Sequence, residues 1–341
     1  MTAILVTGGA GYIGAHTCKA LARAGYQPVT FDNLTTGHES FVRWGPLITG
    51  DIRDKAAVLK AIHDYKAEAV LHFAASAYVG ESVTNPRKYY ENNVAGSLSL
   101  FGAMTEAGCR HLVFSSTCAI YGEPLALPIR ETTPPNPVNP YGASKFMVER
   151  ILNDYALAYP LQAVALRYFN ASGADPEGEV GELRDPETHL IPRAMMAIQG
   201  HIADFAVFGT DYETPDGTAI RDYIHVSDLA DAHVSALQRL LAGGPGGAFN
   251  LGTGHGYSVK QVLDAIAAET GVPLKAVAGA RRQGDPPTLV ADATLAKTEL
   301  GFTPNLSSLA SIVKTAWAWH QRAHPKRPLH AGTEEVTPVG A

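Results

Sequence analysis

The reading of the fold rests on "AILVTGGAGYIGAHTCKALARAGYQPVTFD", residues 3–32. A short apolar run, AILVT, meets three spaced glycines, Gly8, Gly11 and Gly14, then an amphipathic stretch that leads to a second apolar run, PVTFD. That order reads as strand, tight turn, helix and strand, the start of a parallel crossover unit. Small residues in such a turn let the backbone approach a pyrophosphate at the helix N-terminus, where free amides and the helix dipole favour an anion. Asp32 closes the second run near the ~20-residue offset at which a carboxylate accepts from a ribose 2'-hydroxyl. No arginine follows immediately in FDNLTTG to receive a 2'-phosphate, so NAD is expected rather than NADP.

The rhythm continues outward. AVLHFA, HLVFSS and AVALRYF are further apolar runs separated by longer stretches, which predicts parallel strands with helical crossovers. Right-handed crossovers place helices on both sheet faces, so the expected fold is α/β, a doubly wound, Rossmann-like parallel sheet over residues 1–170. A return segment around 215–250 should rejoin it. After Asn170 the texture changes: GADPEGEVGELRDPETHLIP and GTDYETPDGTAIRDY are long polar loops of the kind that carry function. Residues 171–325 are expected to form mainly a smaller mixed α/β substrate domain. Its later elements are a helix from about Val226, a strand at AFNLG, a helix from about Ser258 and an amphipathic helix through LASIVKTAWAWHQR, where Trp317 and Trp319 read as packing residues. Long helices are predicted around Pro86 to Ala107 and Tyr141 to Tyr159, and residues 326–341 read as a flexible tail.

Composition narrows the function classes. A chain of 341 residues with 46% hydrophobic content can bury a core larger than one average domain. A net charge of -6 and the lack of a long Lys/Arg cluster argue against nucleic acid. The apolar run after Met1 is too short for a signal peptide or membrane span, so no membrane association and a cytoplasmic location are expected. Cys18, Cys109 and Cys118 lack metal-ligand spacing and read as buried thiols, and the histidines read as core or surface residues, so no metal is expected.

The chemistry is written in NPYGASKFMVER, residues 139–150, where Tyr141 and Lys145 share one helical face. A free phenol has a pKa of ~10, and making it a base near neutrality costs ~4 kcal/mol. A nearby ammonium together with the positive nicotinamide ring could supply that in a desolvated site. Thr117, in FSSTCAIYG at the end of a predicted strand, offers a hydroxyl to a substrate oxygen.

With VTGGAGYIGAHT, DNLTTGH, GDIRD, VGESV, NNVAGS, SSTCAIYG, PYGASK, LRYFNASGA and NLGTGHGYSV in place, the chain resembles the UDP-glucose 4-epimerases of the extended short-chain dehydrogenase/reductase superfamily, over roughly Thr2 to His324. The resemblance implies tightly held NAD and reversible inversion at C4 between UDP-glucose and UDP-galactose through a transient 4-keto sugar. Tyr141 would exchange the 4-hydroxyl proton, Lys145 would grip the nicotinamide ribose and lower the tyrosine pKa, and Thr117 would sit on the 4-oxygen. It also implies Gly8, Gly11, Tyr12, Ile13 and Gly14 near the pyrophosphate, Asp32 and Asn33 on the adenosine ribose, and Asp51 and Ile52 at the adenine. Phe73, Ala74 and Asn92 would line the cofactor's middle, with Tyr168 near the nicotinamide amide. Asn170, Leu190, Phe208, Arg221, Arg282 and Asp285 would hold the UDP part, and a homodimer is implied.

Three positions depart from the family pattern. Ala77 stands where some members place a lysine near the cofactor, and Thr117 replaces the commoner serine. Leu289 stands where a bulky tyrosine closes the sugar pocket of strict members, and so resembles members that also accept UDP-N-acetylhexosamines; alternatively its neighbours fill the same space. UDP-xylose/UDP-arabinose 4-epimerases share most of the motifs. A nucleotide-sugar 4,6-dehydratase would need carboxylates where Cys118 and Ala119 follow Thr117, and a non-catalytic NAD-binding protein has no need of Tyr141, Lys145 and Thr117 together.

Overall fold

Each apolar run forms a strand because its Val, Ile, Leu and Phe side chains find cover on both faces. The computed structural model describes residues 1–281 and 285–324; Arg282 and the tail at 326–341 lie outside the described residues. The runs become β1 (Ala3–Thr7), β2 (Gln27–Asp32), β4 (Ala69–His72), β5 (His111–Ser115) and β6 (Gln162–Tyr168). A short strand absent from the sequence reading, β3 (Leu47–Thr49), is only partly covered and carries little hydrophobic signal. With Gly247–Leu251 these make one parallel seven-stranded sheet, ordered Gly247–Leu251, β6, β5, β4, β1, β2, β3. The fold is a doubly wound, Rossmann-like α/β sheet. Its strand order reverses between β1 and β4, and that reversal leaves a crevice at the strands' carboxyl ends.

Two cores flank the sheet. On one face the helices Tyr12–Arg23 and Val226–Leu241 contribute Leu21, Leu229, Leu237 and Leu240. On the other, Lys55–Tyr65, Gly96–Ala107 and Pro140–Ala158 contribute Val58, Ile62, Leu100, Phe101, Met104 and Leu152. The long helix expected around Pro86 to Ala107 is instead three segments: α over Pro86–Tyr89, a π turn over Tyr90–Ala95, and α over Gly96–Ala107. Such wide turns concentrate at functional sites. The Pro140–Ala158 helix begins where its sequence says it should: Asn139 Oδ1 accepts from Gly142 N at 2.8 Å, and Pro140 occupies the first turn, where no amide is needed.

The remaining chain builds smaller sheets. Asn170–Ser172, Ile220–His225, Gly256–Ser258 and Thr288–Leu289 form one, and Ala206–Phe208 pairs with Val277–Gly279. The helices Leu190–Ile198, Val259–Thr270 and Leu309–Ala323 share a separate core of Ile191, Met195, Val262, Ile266, Ile312 and Val313. Among the described residues, no helix is long and apolar enough to cross a membrane. All three cysteines are buried, and burial pushes each thiol up to about 12.

Burial also holds histidines neutral: His72 is lowered to about 3, and His16, His225, His233 and His320 to about 4. The unfolded chain binds protons below ~6.5 that the folded chain refuses, so this stability is complete above ~6.5 and drains away as pH falls toward 4. Calorimetry at fixed ionic strength should show the melting temperature dropping between pH 7.5 and pH 5. A flat profile would mean that these rings gain charge without cost in the fold.

Candidate active site

The glycine turn leaves room where a side chain would close it. Gly8 has φ +74°, and a Cβ there would sit 2.6 Å from Ala74 N; a Cβ on Gly14 would sit 2.2 Å from Gly8 O. The approach is held by Phe73 N and Ala74 N, which both donate to Thr7 O at 2.8 and 3.0 Å. Gly11 caps the Tyr12–Arg23 helix without a side-chain hydrogen bond, so the amides of its first turn have no side chain competing for them. Asp32 is fixed against this turn: Oδ2 accepts from Ala10 N at 3.0 Å and Oδ1 from Leu34 N at 2.9 Å, while burial raises its pKa. The cradle suits a dinucleotide's diphosphate. Ile13 packs toward the core below it.

Further along the edge, Asn33 Nδ2 donates to Asp51 Oδ2 at 3.2 Å. Asp51 is clamped by Arg53 through Nε at 2.9 Å and Nη2 at 2.7 Å, which holds its carboxyl well below the usual range. Ile52 is buried against Gly96. Asn92 lies in the π turn and donates to Asn93 Oδ1 at 3.1 Å.

Just past the carboxyl end of β5, Thr117 caps the short turn Cys118–Tyr121 and hydrogen-bonds Tyr141. Lys145 Nζ donates to Ser115 O at 2.8 Å and lies 4.8 Å from the Phe114 ring centroid. Tyr168 and Ser115 hydroxyls are 2.5 Å apart. Desolvation drives both ionisable groups toward neutrality: it raises Tyr141 well above the ordinary phenol and lowers Lys145 to about 7. Against the burial of Tyr141 work the Thr117 hydrogen bond and the Arg184 guanidinium.

Several supporting residues escaped the sequence reading. Asn93, turned inward by the π turn, donates to Ser76 O and Ser144 Oγ at 3.0 Å each, and Ser144 Oγ donates to Tyr141 O at 2.8 Å. His72 bridges Thr7 Oγ1 at 2.7 Å and Ser97 Oγ at 3.0 Å. Behind Lys145, Glu149 accepts from Ser116 Oγ at 2.5 Å and Arg167 Nη2 at 2.6 Å, while Arg167 Nη1 donates to Tyr121 OH at 2.9 Å. Arg184, in the long polar loop, donates from Nε to Glu182 Oε1 at 2.9 Å, and its guanidinium carbon lies 5.7 Å from the Tyr78 ring centroid. NNVAGS holds Asn93 and Ser97, and GELRDPETHL holds Glu182 and Arg184, but only packing shows which way they face.

The residues assigned to the UDP part divide between elements. Asn170 pairs with Tyr223 in the small sheet, and Leu190 opens the Leu190–Ile198 helix. Arg221 Nη2 and Asp285 Oδ1 form an ion pair at 2.5 Å, and Arg281 stacks over Tyr212 at 4.4 Å. Phe208 ends its strand 42% exposed. Leu289 lies beside Arg221 in register and is buried with Cys118, Tyr121 and Phe169, which puts it against the Thr117 turn. Two groups rich in carboxylates, Glu182–Glu187–His189 and Asp175–Glu177–Glu179, gather close together. They are answered internally by Arg184 and by Lys19.

A nucleotide cradle and a Tyr-Lys-Thr group at the same sheet edge define a protein of nucleotide-dependent redox chemistry. Residues 4–252 match the model of the NAD dependent epimerase/dehydratase family, and the chain belongs to that family. It is 53% identical to the UDP-glucose 4-epimerase of Rhizobium meliloti (strain 1021), over 94% of this chain and 97% of that one. Among solved structures it is similar to the UDP-glucose 4-epimerase from Brucella ovis in complex with NAD, at 54% identity and TM-score 0.91, covering 93% of this chain and 98% of the other. A UDP-glucose-4-epimerase from Stenotrophomonas maltophila with bound NAD and formylated UDP-arabinopyranose is 40% identical with TM-score 0.91, covering 95% and 98%.

The Glu149–Arg167 pair is deeply buried, so removing one charge strands the other. Glu149→Gln should lower unfolding free energy by about 3–5 kcal/mol in urea titrations. A loss below ~1 kcal/mol would show that water reaches the guanidinium.

Proposed function

We propose that this protein is a UDP-glucose 4-epimerase, reversibly inverting C4 of UDP-glucose and UDP-galactose through a 4-keto sugar. The observation that carries this reading is the meeting of Tyr141, Lys145 and Thr117 beside the glycine cradle, in a chain that a relative of that name matches over 94% of its length. Bound NAD supplies the hydride acceptor, the hydride source for the return, and a positive ring.

Each protein group has a distinct task. Gly8 to Gly14 with Tyr12 and Ile13 hold the diphosphate, and Asp32 with Asn33 the adenosine ribose. Asp51 and Ile52 flank the adenine, Phe73, Ala74 and Asn92 line the middle, and Tyr168 faces the nicotinamide end. Tyr141 removes the 4-hydroxyl proton and later returns it to the 4-oxygen. Because burial keeps that phenol protonated, it acts as a base only when positive charge is brought beside it. Lys145, already fixed to Ser115 O, holds the nicotinamide ribose and contributes part of that charge. Thr117 bonds both Tyr141 and the sugar 4-oxygen, giving the proton a short path. Arg221, with Asp285 setting its plane, suits a diphosphate through its forked donors, and Asn170, Leu190 and Phe208 hold the rest of the UDP part.

The sequence divides into a NAD-binding part over 1–170, rejoined around 215–250, and a UDP-sugar part over most of 171–325. A homodimer is supported by Tyr90, Leu98 and Met147, apolar side chains exposed on the Tyr90–Ala95, Gly96–Ala107 and Pro140–Ala158 segments, which would pair with copies of themselves. Three unpaired cysteines agree with a cytoplasmic setting. Leu289, buried beside the Thr117 turn, is smaller than a tyrosine and supports a pocket that also takes UDP-N-acetylhexosamines.

Incubated with UDP-galactose, the protein should form UDP-glucose without net NADH production; no conversion even with added NAD would remove the reading. Tyr141→Phe should reduce turnover by ~10²–10⁴ while keeping bound NAD. In a parallel assay, UDP-N-acetylglucosamine should be epimerised, and Leu289→Tyr should suppress that activity more than the activity on UDP-galactose. Equal loss on both sugars would clear Leu289 of a gating role.

A further inference from the structure

Arg184 is a half-buried cation in the wrong company for a mere surface charge. Its side chain is 21% exposed, its Nε is held by Glu182 at 2.9 Å, and it stacks on and hydrogen-bonds Tyr78. Tyr78 stands next to Ala77, just past the exit of β4 into the crevice. The chain beside it is set on the glycine turn: Leu183 O lies 2.9 Å from His38 Nε2, and His38 N donates to Ala10 O at 2.9 Å. Arg184 therefore lies on the crevice side of that turn, against Tyr78.

Its other neighbours fix it there. Glu182 is shared with His189 Nδ1 at 2.6 Å, and Glu187 turns its Oε1 to the backbone amides of Thr188 and His189 at 2.7 and 2.8 Å. Only the Nε edge is bonded to Glu182; the forked Nη groups are the part that can meet an anion. The loop is itself anchored to the glycine-rich helix: Tyr12 OH donates to Gly173 O at 2.6 Å, and Lys19 pairs with Asp175 at 2.8 Å.

We propose that Arg184, held by Glu182 and Tyr78, is a cofactor-positioning residue that binds the phosphate–ribose stretch of NAD from the far loop, supplying the positive charge that position 77 does not. This rests on the NAD-dependent reading above. It also makes the loop at 173–189 part of the cofactor site.

The test reads cofactor binding apart from catalysis: the NAD retained by purified holoenzyme through gel filtration, and calorimetric affinity for re-added NAD. Arg184→Gln should bind NAD roughly tenfold or more weakly, the scale of one charge-assisted contact. Glu182→Gln keeps an amide oxygen that accepts from Arg184 Nε and removes only the negative charge that neutralises the guanidinium, so it should bind NAD as tightly as wild type or more so. A pair that only braces the loop would weaken both variants alike. Wild-type affinity in Arg184→Gln, or equal weakening in the two, overturns the proposal. Should Arg184→Gln fail to fold, Glu182→Gln decides: weaker binding than wild type overturns it, and equal or tighter binding supports it. Wild-type protein that binds no NAD would instead sink the functional reading.

Discussion

Desolvation at the crevice governs this protein. A phenol that in water would sit about a thousand-fold from its ionised form at neutral pH, and an ammonium that in water would be fully charged, are placed where water is scarce, and burial moves both toward neutrality. The site therefore does not arrive with a ready tyrosinate. It arrives with a protonated phenol, and on the proposed mechanism its ionisation waits on positive charge brought by a ligand, which ties proton abstraction to occupancy of the nucleotide cradle. A tyrosine ionised at rest in open solvent would have no such coupling.

Holding polar groups in so dry a place requires each to have a fixed partner. Hence the run of buried hydrogen bonds behind the visible chemistry: Thr7 to His72 to Ser97, Asn93 to Ser144 to the Tyr141 carbonyl, and Ser116, Glu149, Arg167 and Tyr121 behind Lys145. These ties join β1, β4, β6, the residue after β5 and the Pro140–Ala158 helix, so the placement of Tyr141 is a property of the whole sheet edge. The π turn at Tyr90–Ala95 belongs to the same scheme, since it is what points Asn93 inward.

The legible parts of the sequence were those with a local cause. AILVT, PVTFD, AVLHFA, HLVFSS and AVALRYF declare strands because apolar side chains in short runs have few other uses, and NPYGAS declares a helix start through Asn139 and Pro140. β3 went unread because three half-covered residues carry no such signal. The Pro86 to Ala107 helix was read as regular because its composition is helical throughout; the extra residue in its turn answers to packing against Ser76 and Ser144, which sequence does not display.

Sequence by itself determined the parallel sheet, the glycine cradle with Asp32 beside it, and Tyr141 and Lys145 on one helical face, because periods of two and 3.6 residues and the lack of a glycine Cβ are local facts. Tertiary structure decided the rest. It put Thr117 against Tyr141, Leu289 against the Thr117 turn, and Arg184 against Tyr78. Those meetings depend on loops without period crossing a sheet edge, and on which buried charge finds which partner. Only the folded chain specifies such choices, since each is made by burial and not by spacing.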